Sequence, residues 1–243
     1  MAMVFLTAVW RDLLMINWEV DPAIVEPFVP RGTAIDFHEG KTFVSVVGFL
    51  FQNTKLFGWL PVPFHRDFEE INLRFYVVRH HPAGDRRGVV FIKEIVPRRA
   101  IALTANLVYN EHYVALPTRH RIERDNGAIR AGSLVRYAWR FRRKTHALRG
   151  RLVGALTLPA PGSEPEFISQ HYWGYATQRD GGTIEYEVEH PHWRVAPATQ
   201  ARLQADIAPL YGASFVETLR RPPDSAFIAE GSPVIVRRGV RIA

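Results

Sequence analysis

Chemistry in this sequence is most legible in one segment. Phe68–Val78 alternates, placing Glu70, Asn72, Arg74 and Tyr76 on one face of a strand and Ile71, Leu73, Phe75 and Val77 on the other. A carboxylate, an amide and a guanidinium spaced by two can converge on one polar ligand: the carboxylate moves a proton, the amide donates and accepts, the guanidinium pairs an anion. Glu69 adds a neighbouring carboxylate. Taken alone, the pattern reads more simply as a solvated face, because antiparallel sheets commonly leave one side in water. A second polar group stands at Asn110-Glu111-His112-Tyr113. The histidines do not add a metal site. His80 and His81 are adjacent and point apart on a strand, and His171, His190 and His192 lack the i, i+4 spacing of a helical pair. With no cysteine, no glycine-rich phosphate loop and no Gly-x-Ser-x-Gly elbow, neither a metal nor a cofactor is expected.

Strands must position these groups. An opening strand is expected around Val4–Val20, then a short helix over Ala23–Phe28 capped by Asp21 with Pro22 in its first turn. Thr33–His38 and Thr42–Phe49 read as a strand pair joined at Glu39-Gly40. Val89–Val96 is the strand after the alternating one, with Lys93 and Glu94 on opposite sides. Ala100–Tyr109 reads as a helix. Asp125-Asn126-Gly127 predicts a hairpin turn between strands at Thr118–Arg124 and Ile129–Arg142, because Asn-Gly readily takes positive φ. Another strand is expected at Leu148–Leu158. Ser163-Glu164-Pro165-Glu166 predicts a capping box opening a helix over Glu166–Thr177. A strand at Thr183–His190, a helix at Pro197–Leu210 and a last strand at Pro233–Arg238 complete the reading. No repeat or linker divides the chain, so residues 1–243 are read as one domain.

Bulk properties exclude more than they choose. The chain has 243 residues, 47% of them hydrophobic, which suffices for a packed core without disulfides. Nowhere do about 18 uninterrupted apolar residues occur, so no membrane partner is expected and the default placement is cytoplasmic. Of 31 basic residues only Lys41, Lys55, Lys93 and Lys144 are lysines, and the net charge is +7. The arginines run from Arg11 to Arg241 with acids among them, and the cluster Arg140, Arg142, Arg143 and Lys144 reads as a polar strand end. Without a concentrated patch, nucleic acid is not an expected partner.

Several segments in order resemble the bacterial YqjF-like family of unknown function. They are Trp10-Arg11-Asp12-Leu13-Leu14 with Asn17-Trp18, Val29-Pro30-Arg31-Gly32 with Ile35-Asp36, and Glu70-Ile71-Asn72-Leu73-Arg74-Phe75-Tyr76-Val77. Gly88-Val89-Val90-Phe91, Tyr109-Asn110-Glu111-His112-Tyr113, His171-Tyr172-Trp173 and His190-Pro191-His192-Trp193 follow. Members of that family look like acetoacetate decarboxylase. The resemblance implies an α+β, mainly β fold: a large, mostly antiparallel, barrel-like sheet system with a few short helices, a central pocket for a small-molecule ligand and a tendency to form homo-oligomers.

In such decarboxylases a lysine, activated by a second lysine, forms a Schiff base with the substrate. Aligning Ala100-Ile101-Ala102 with the segment leading to those lysines, without gaps, puts His112 and Tyr113 in their places. Neither can form an imine. The resemblance also sets Glu69 or Glu70 near the family's pocket acid and Arg11 on the substrate side. It thereby moves the Glu70 face from solvent to a pocket. The expectation is an enzyme for a small polar or carboxylated compound, with Glu70 as acid or base, His112 as proton carrier, Arg74 or Arg11 holding an anion, and Glu69, Asn72, Glu111 and Tyr113 around the ligand. The alternative is a non-catalytic binding protein whose aromatics, among them Trp18, Phe75, Tyr172 and Trp193, bury the ligand. Lys93 reads as an exposed, acid-paired lysine rather than a replacement amine.

Overall fold

In the computed structural model, which describes residues 3–61, 66–108 and 110–243, the opening apolar run forms one long strand, β1 (Val4–Val20), as its β-branched and aromatic content favours. Asp21 ends it and caps α1 (Pro22–Val25) by accepting from the Ala23 N–H at 2.9 Å, and a 3₁₀ turn at Glu26–Phe28 follows. Then come β2 (Ala34–Ile35), β3 (Thr42–Leu56), β4 (Leu60–Pro61), β5 (Phe68–Arg79), β6 (Arg86–Val96), α2 (Arg99–Val108) and β7 (Tyr113–Ala115). The hairpin strands are β8 (Thr118–Ile122), β9 (Leu134–Phe141) and β10 (Lys144–Leu152); α3 (Glu164–Ser169), β11 (Trp173–Thr177), β12 (Thr183–Glu189) and β13 (Val195–Gln204) follow. Two short helices, α4 (Ile207–Tyr211) and α5 (Val216–Arg220), precede β14 (Ser225–Ala229), β15 (Pro233–Arg237) and β16 (Val240–Arg241). Among the described residues no helix is long and apolar enough to cross a membrane.

The pairing closes into a ring, β1-β3-β5-β6-β11-β12-β15 and back to β1. All its joins are antiparallel except β6–β11, where Gly88 faces Trp173 and Gly174 faces Val89. β1 serves two partners on one edge: Val4–Val9 pairs β15 and Leu13–Asn17 pairs β14. From β14 a second leaf runs through β13, β10, β9 and β8. Between the two stretches, Asp12 takes φ 57 within a register shift, and its backbone carbonyl accepts from the buried Tyr137 hydroxyl at 2.8 Å.

This two-leaf arrangement makes two cores. Leu14 and Ile16 of β1, Val44 and Val46 of β3 and Ile71, Leu73, Phe75 and Val77 of β5 pack outward from the ring onto Val135, Tyr137, Trp139 and Leu148 of the leaf. A Cβ on Gly48 would meet the Tyr137 ring at 2.6 Å, so the leaf approaches most closely where β3 has no side chain. The opposite faces, with Leu13, Met15, Val47, Phe49, Phe68, Tyr76 and Trp193, form a second cluster inside the ring.

Several sequence expectations change here. Residues 195–204 form a strand rather than a helix, because their backbone pairs β10 on one side and β14 on the other, and cross-strand bonding outweighs the helix propensity of Ala, Gln and Leu. The helix opened by Ser163 stops at Ser169, and Trp173–Thr177 pairs β6 and β12. β2 pairs β5 rather than β3, leaving one bridge, His38 to Lys41, at the expected turn. Arg142 and Arg143, with φ 48 and 63, are the turn of the β9–β10 hairpin rather than a strand end. The strand expected at Leu148–Leu158 therefore begins at Lys144 and ends at Leu152. The end of the predicted helix at Tyr109 lies outside the described residues.

Candidate functional site

Three adjacent strands bring the polar groups together. Asn72 of β5 registers with Glu94 of β6, and Glu94 with Tyr113 of β7. Glu70 lies two residues from Asn72 on β5, and Glu111 two residues before Tyr113 in the segment that leads into β7, and all five face the interior of the ring. They line a cavity of about 240 Å³ whose walls include Trp10, Phe49, Phe51, Phe68, Phe91 and Trp193. The polar face of β5 is thus not solvated: Glu70 is 3% and Asn72 1% exposed, and Glu94 of β6 is 1% exposed.

Hydrogen bonds tie the group together. The Asn72 Nδ2 donates to Glu70 Oε1 at 3.1 Å, and the Tyr113 hydroxyl donates to Glu70 Oε2 at 3.2 Å. Across the cavity the Tyr186 hydroxyl donates to Glu111 Oε1 at 3.0 Å. Tyr186 reaches this point by lying over Gly174, its register partner on β11, where a Cβ would stand 2.1 Å from the ring. Asn106 of α2 anchors the approach to β7 by bonding both the N–H and the carbonyl of Tyr113. Arg74 lines the cavity further along, donating to the Ile168 carbonyl at 3.1 Å and to the Tyr76 hydroxyl at 3.4 Å.

Burial makes ionisation expensive for these acids. It pushes Glu70 up to about 7, against the opposing pull of the Asn72 and Tyr113 hydrogen bonds and the Arg74 charge. Glu111 rises to about 8, through burial and the nearby Glu70 charge, although the Tyr186 hydroxyl favours its ionised form. Burial and the charges of Glu111 and Glu70 hold Glu94 well above the usual carboxylate range. The three titrate as one group whose first ionisation raises the cost of the next. Burial likewise raises the Tyr113 phenol and lowers His190, which also lines the cavity, to about 4.

Of the residues expected from sequence, Glu70, Asn72, Arg74, Glu111 and Tyr113 line the cavity, and Arg11, Glu69 and His112 do not. His112 falls between Glu111 and Tyr113, so strand alternation sends it outward: it is exposed, and its Nδ1 lies 3.4 Å from the Phe91 carbonyl. It cannot share a ligand with Glu70. Glu69 turns to the opposite face of β5, bonded to His120 Nδ1 and the Thr118 hydroxyl at 2.7 Å each. Arg11 is exposed beside the β1 bulge. Among the aromatics, Trp193 lines the cavity, while Trp18 and Phe75 belong to the outer core and Tyr172 packs on His190. Glu94 is legible as facing opposite Lys93 but not as a site residue; His190 stands in one of the segments that carry the family resemblance but is not expected at the site, and Tyr186 gives no local signal. Among the described residues no group of three His, Cys, Asp or Glu could hold a metal, and none of the four lysines lines the cavity.

The family model for DUF2071, described as "Uncharacterized conserved protein", matches residues 7–233. The chain belongs to this family. A relative in sequence is the uncharacterized protein YqjF of Bacillus subtilis (strain 168), 30% identical over 105 residues; the match covers 43% of this chain and 41% of YqjF, less than half of either. Solved structures share the fold at much lower identity. An acetoacetate decarboxylase-like enzyme from Sphingomonas wittichii RW1 superposes with a TM-score of 0.67 at 14% identity, covering 98% of this chain and 92% of that one. The enduracididine biosynthesis enzyme MppR gives 0.70 at 9% identity, covering 98% and 88%. The acetoacetate decarboxylase of Legionella pneumophila gives 0.66 at 12%, covering 98% and 87%. This DUF2071 chain therefore has the α+β, mainly β fold of the acetoacetate-decarboxylase-like proteins, as its sequence motifs implied.

Proposed function

We propose that this chain is an enzyme that transfers protons on a small compound held in the ring cavity, by a route that forms no Schiff base. The observation that carries the reading is Glu70: a fully interior carboxyl, poised near neutrality, with one oxygen on Asn72 and the other on Tyr113. A group of that pKa can take a proton at one step and return it at the next. In its ionised form Glu70 removes a proton from carbon or oxygen of the substrate; Glu111, protonated at pH 7, supplies one to the developing charge elsewhere on the same molecule, so that the reaction is an isomerisation or an elimination. Arg74 holds the negative end of a polar or carboxylated substrate, and the aromatic walls exclude water.

An imine route lacks its nucleophile. Lys93, the one lysine near the site in sequence, lies on the other side of β6 from Glu94, opposite Leu73 of the outer core. The decarboxylase-like relatives thus lend the fold, while the reaction rests on the residues of this cavity.

The second reading, a non-catalytic binding protein, draws on the walls, which are mainly aromatic and aliphatic. One experiment separates the two. Small ketones, keto acids and hydroxy acids are incubated with the protein in D₂O, and deuterium uptake at carbon is followed by NMR beside saturation-transfer binding. The enzyme reading expects uptake that falls at least about 100-fold in Glu70→Gln. Binding without uptake supports the second reading, and neither binding nor uptake across the panel overturns both.

A further inference from the structure

The outward face of the second leaf carries a row of like charges. Arg121 of β8 stands opposite Arg136 of β9, Arg136 opposite Arg149 of β10, and Arg149 opposite Arg202 of β13. The residues between them in each strand turn inward: Val135, Tyr137 and Leu148 are fully buried. Alternation sets Arg119, Arg140 and Arg151 on the same outward face. Arg121, Arg149 and Arg202 are exposed and Arg136 half-buried.

Opposing acid is scarce there. Glu123 pairs with Arg121 and with Arg151, each at 3.1 Å. Among the described residues no acid lies within ion-pair distance of Arg119, Arg136, Arg149 or Arg202. Like charges directly opposite on neighbouring strands destabilise a sheet. The row therefore repels itself, and an anionic partner relieves that repulsion. Adjacent strands stand about 4.8 Å apart, so the four arginines leave the sheet along a line roughly 15 Å long.

The type of partner follows from what surrounds the line. Arginine forks match phosphate oxygens two at a time. Of the neighbours on the same strand faces, Thr145 and Gln204 are exposed while Ala138 and Ala147 are buried, and none gives an aromatic or large aliphatic anchor of the kind that protein partners bury, or a ring on which unpaired bases stack. We propose that this arginine row is a sequence-independent docking site for the phosphate backbone of double-stranded nucleic acid. Read along the chain, the same arginines are dispersed over residues 121–202; strand register gathers them.

The test uses the full chain and a fluorescein-labelled 20-base-pair DNA duplex of mixed sequence, followed by anisotropy between 25 and 200 mM salt. Four phosphate contacts predict a slope of log K against log salt near −4. Arg136→Gln/Arg149→Gln is expected to weaken binding at least tenfold at 50 mM salt and to reduce the slope by about 2, while Arg31→Gln/Arg98→Gln, an equal charge loss off the row, leaves both within twofold. Equal weakening by the two variants, no effect of the row variant, or no duplex binding by the wild type overturns the proposal. So does tighter binding of single-stranded DNA, inorganic polyphosphate or vesicles of anionic lipid than of the duplex. Circular dichroism and thermal melting of each variant confirm that any loss is not unfolding.

Discussion

Inside the ring, Glu70 of β5, Glu94 of β6 and Glu111, just before β7, face one cavity and gather three carboxyls; outside the second leaf, direct strand register gathers Arg121, Arg136, Arg149 and Arg202. The outcomes are opposite. The interior acids escape their repulsion by keeping protons, because a carboxyl can be neutral and burial makes the neutral form cheaper. The arginines have no such exit, since a guanidinium stays protonated at any physiological pH: Glu123 pairs with Arg121, and water, salt or a bound anion must relieve Arg136, Arg149 and Arg202. Clustering of like groups therefore yields a proton store in one place and an anion-attracting line in the other. Burial decides which.

The largest test of that comparison moves a charge across the sheet. Leu148 and Arg149 are neighbours on β10 facing opposite ways. Leu148→Arg is expected to cost more than about 4 kcal/mol and to leave little folded protein, because it buries a charge that cannot neutralise. Arg149→Leu should stay within about 0.5 kcal/mol. Urea unfolding of both measures the ratio, and similar costs would break the comparison.

Next in size is the pH dependence of stability. Unfolded glutamates lose their protons near 4.5, whereas folded Glu70 and Glu111 keep theirs to about 7 and 8. In that interval the folded state binds more protons than the unfolded one, so stability falls as pH rises. His190, lowered to about 4 by burial, and His171, also lowered by burial, act oppositely until the unfolded histidines have lost their protons, about a unit above 6.5. The acids therefore dominate the slope toward pH 8. Glu70→Gln/Glu94→Gln/Glu111→Gln should flatten the slope there and be about 2–4 kcal/mol more stable than wild type at pH 8, by chemical denaturation.

A finer prediction concerns Tyr113→Phe. Removing the hydroxyl that favours ionised Glu70 should raise its pKa by about 0.5–1 unit, read by carbon-13 NMR of the side-chain carboxyl. An unchanged value would mean that the phenol does not support the carboxylate. The smallest effect is outside: Arg149→Gln should raise stability by about 0.3 kcal/mol at low salt, with the gain vanishing at 1 M salt.

The sequence exposed the strand parity of this site better than its surroundings. Alternation in β5 correctly grouped Glu70, Asn72 and Arg74, but period two says only that they share a face, not whether that face meets water or a cavity. What lies opposite depends on β6, β7 and β12, and β12 is over a hundred residues away. The same parity argument would have separated His112 from Tyr113; the gapless comparison with the lysine pair set them together although neighbours on a strand point apart. Tyr186 was not visible because its approach to Glu111 depends on a bare Gly174 across a strand pair. The helix expected over Pro197–Leu210 shows the complementary failure, in which local propensity was overruled by two strand partners.

The protonated interior also changes the electrical identity of the chain. Its formal charge of +7 counts every carboxyl as ionised. With Glu94 and Glu111 neutral and Glu70 near half titration, the folded molecule at pH 7 gains about two to three positive charges over that sum. It should migrate toward the cathode faster than a chain of its composition and hydrodynamic size. On unfolding it should release those protons into a weakly buffered solution, so that a pH electrode registers denaturation.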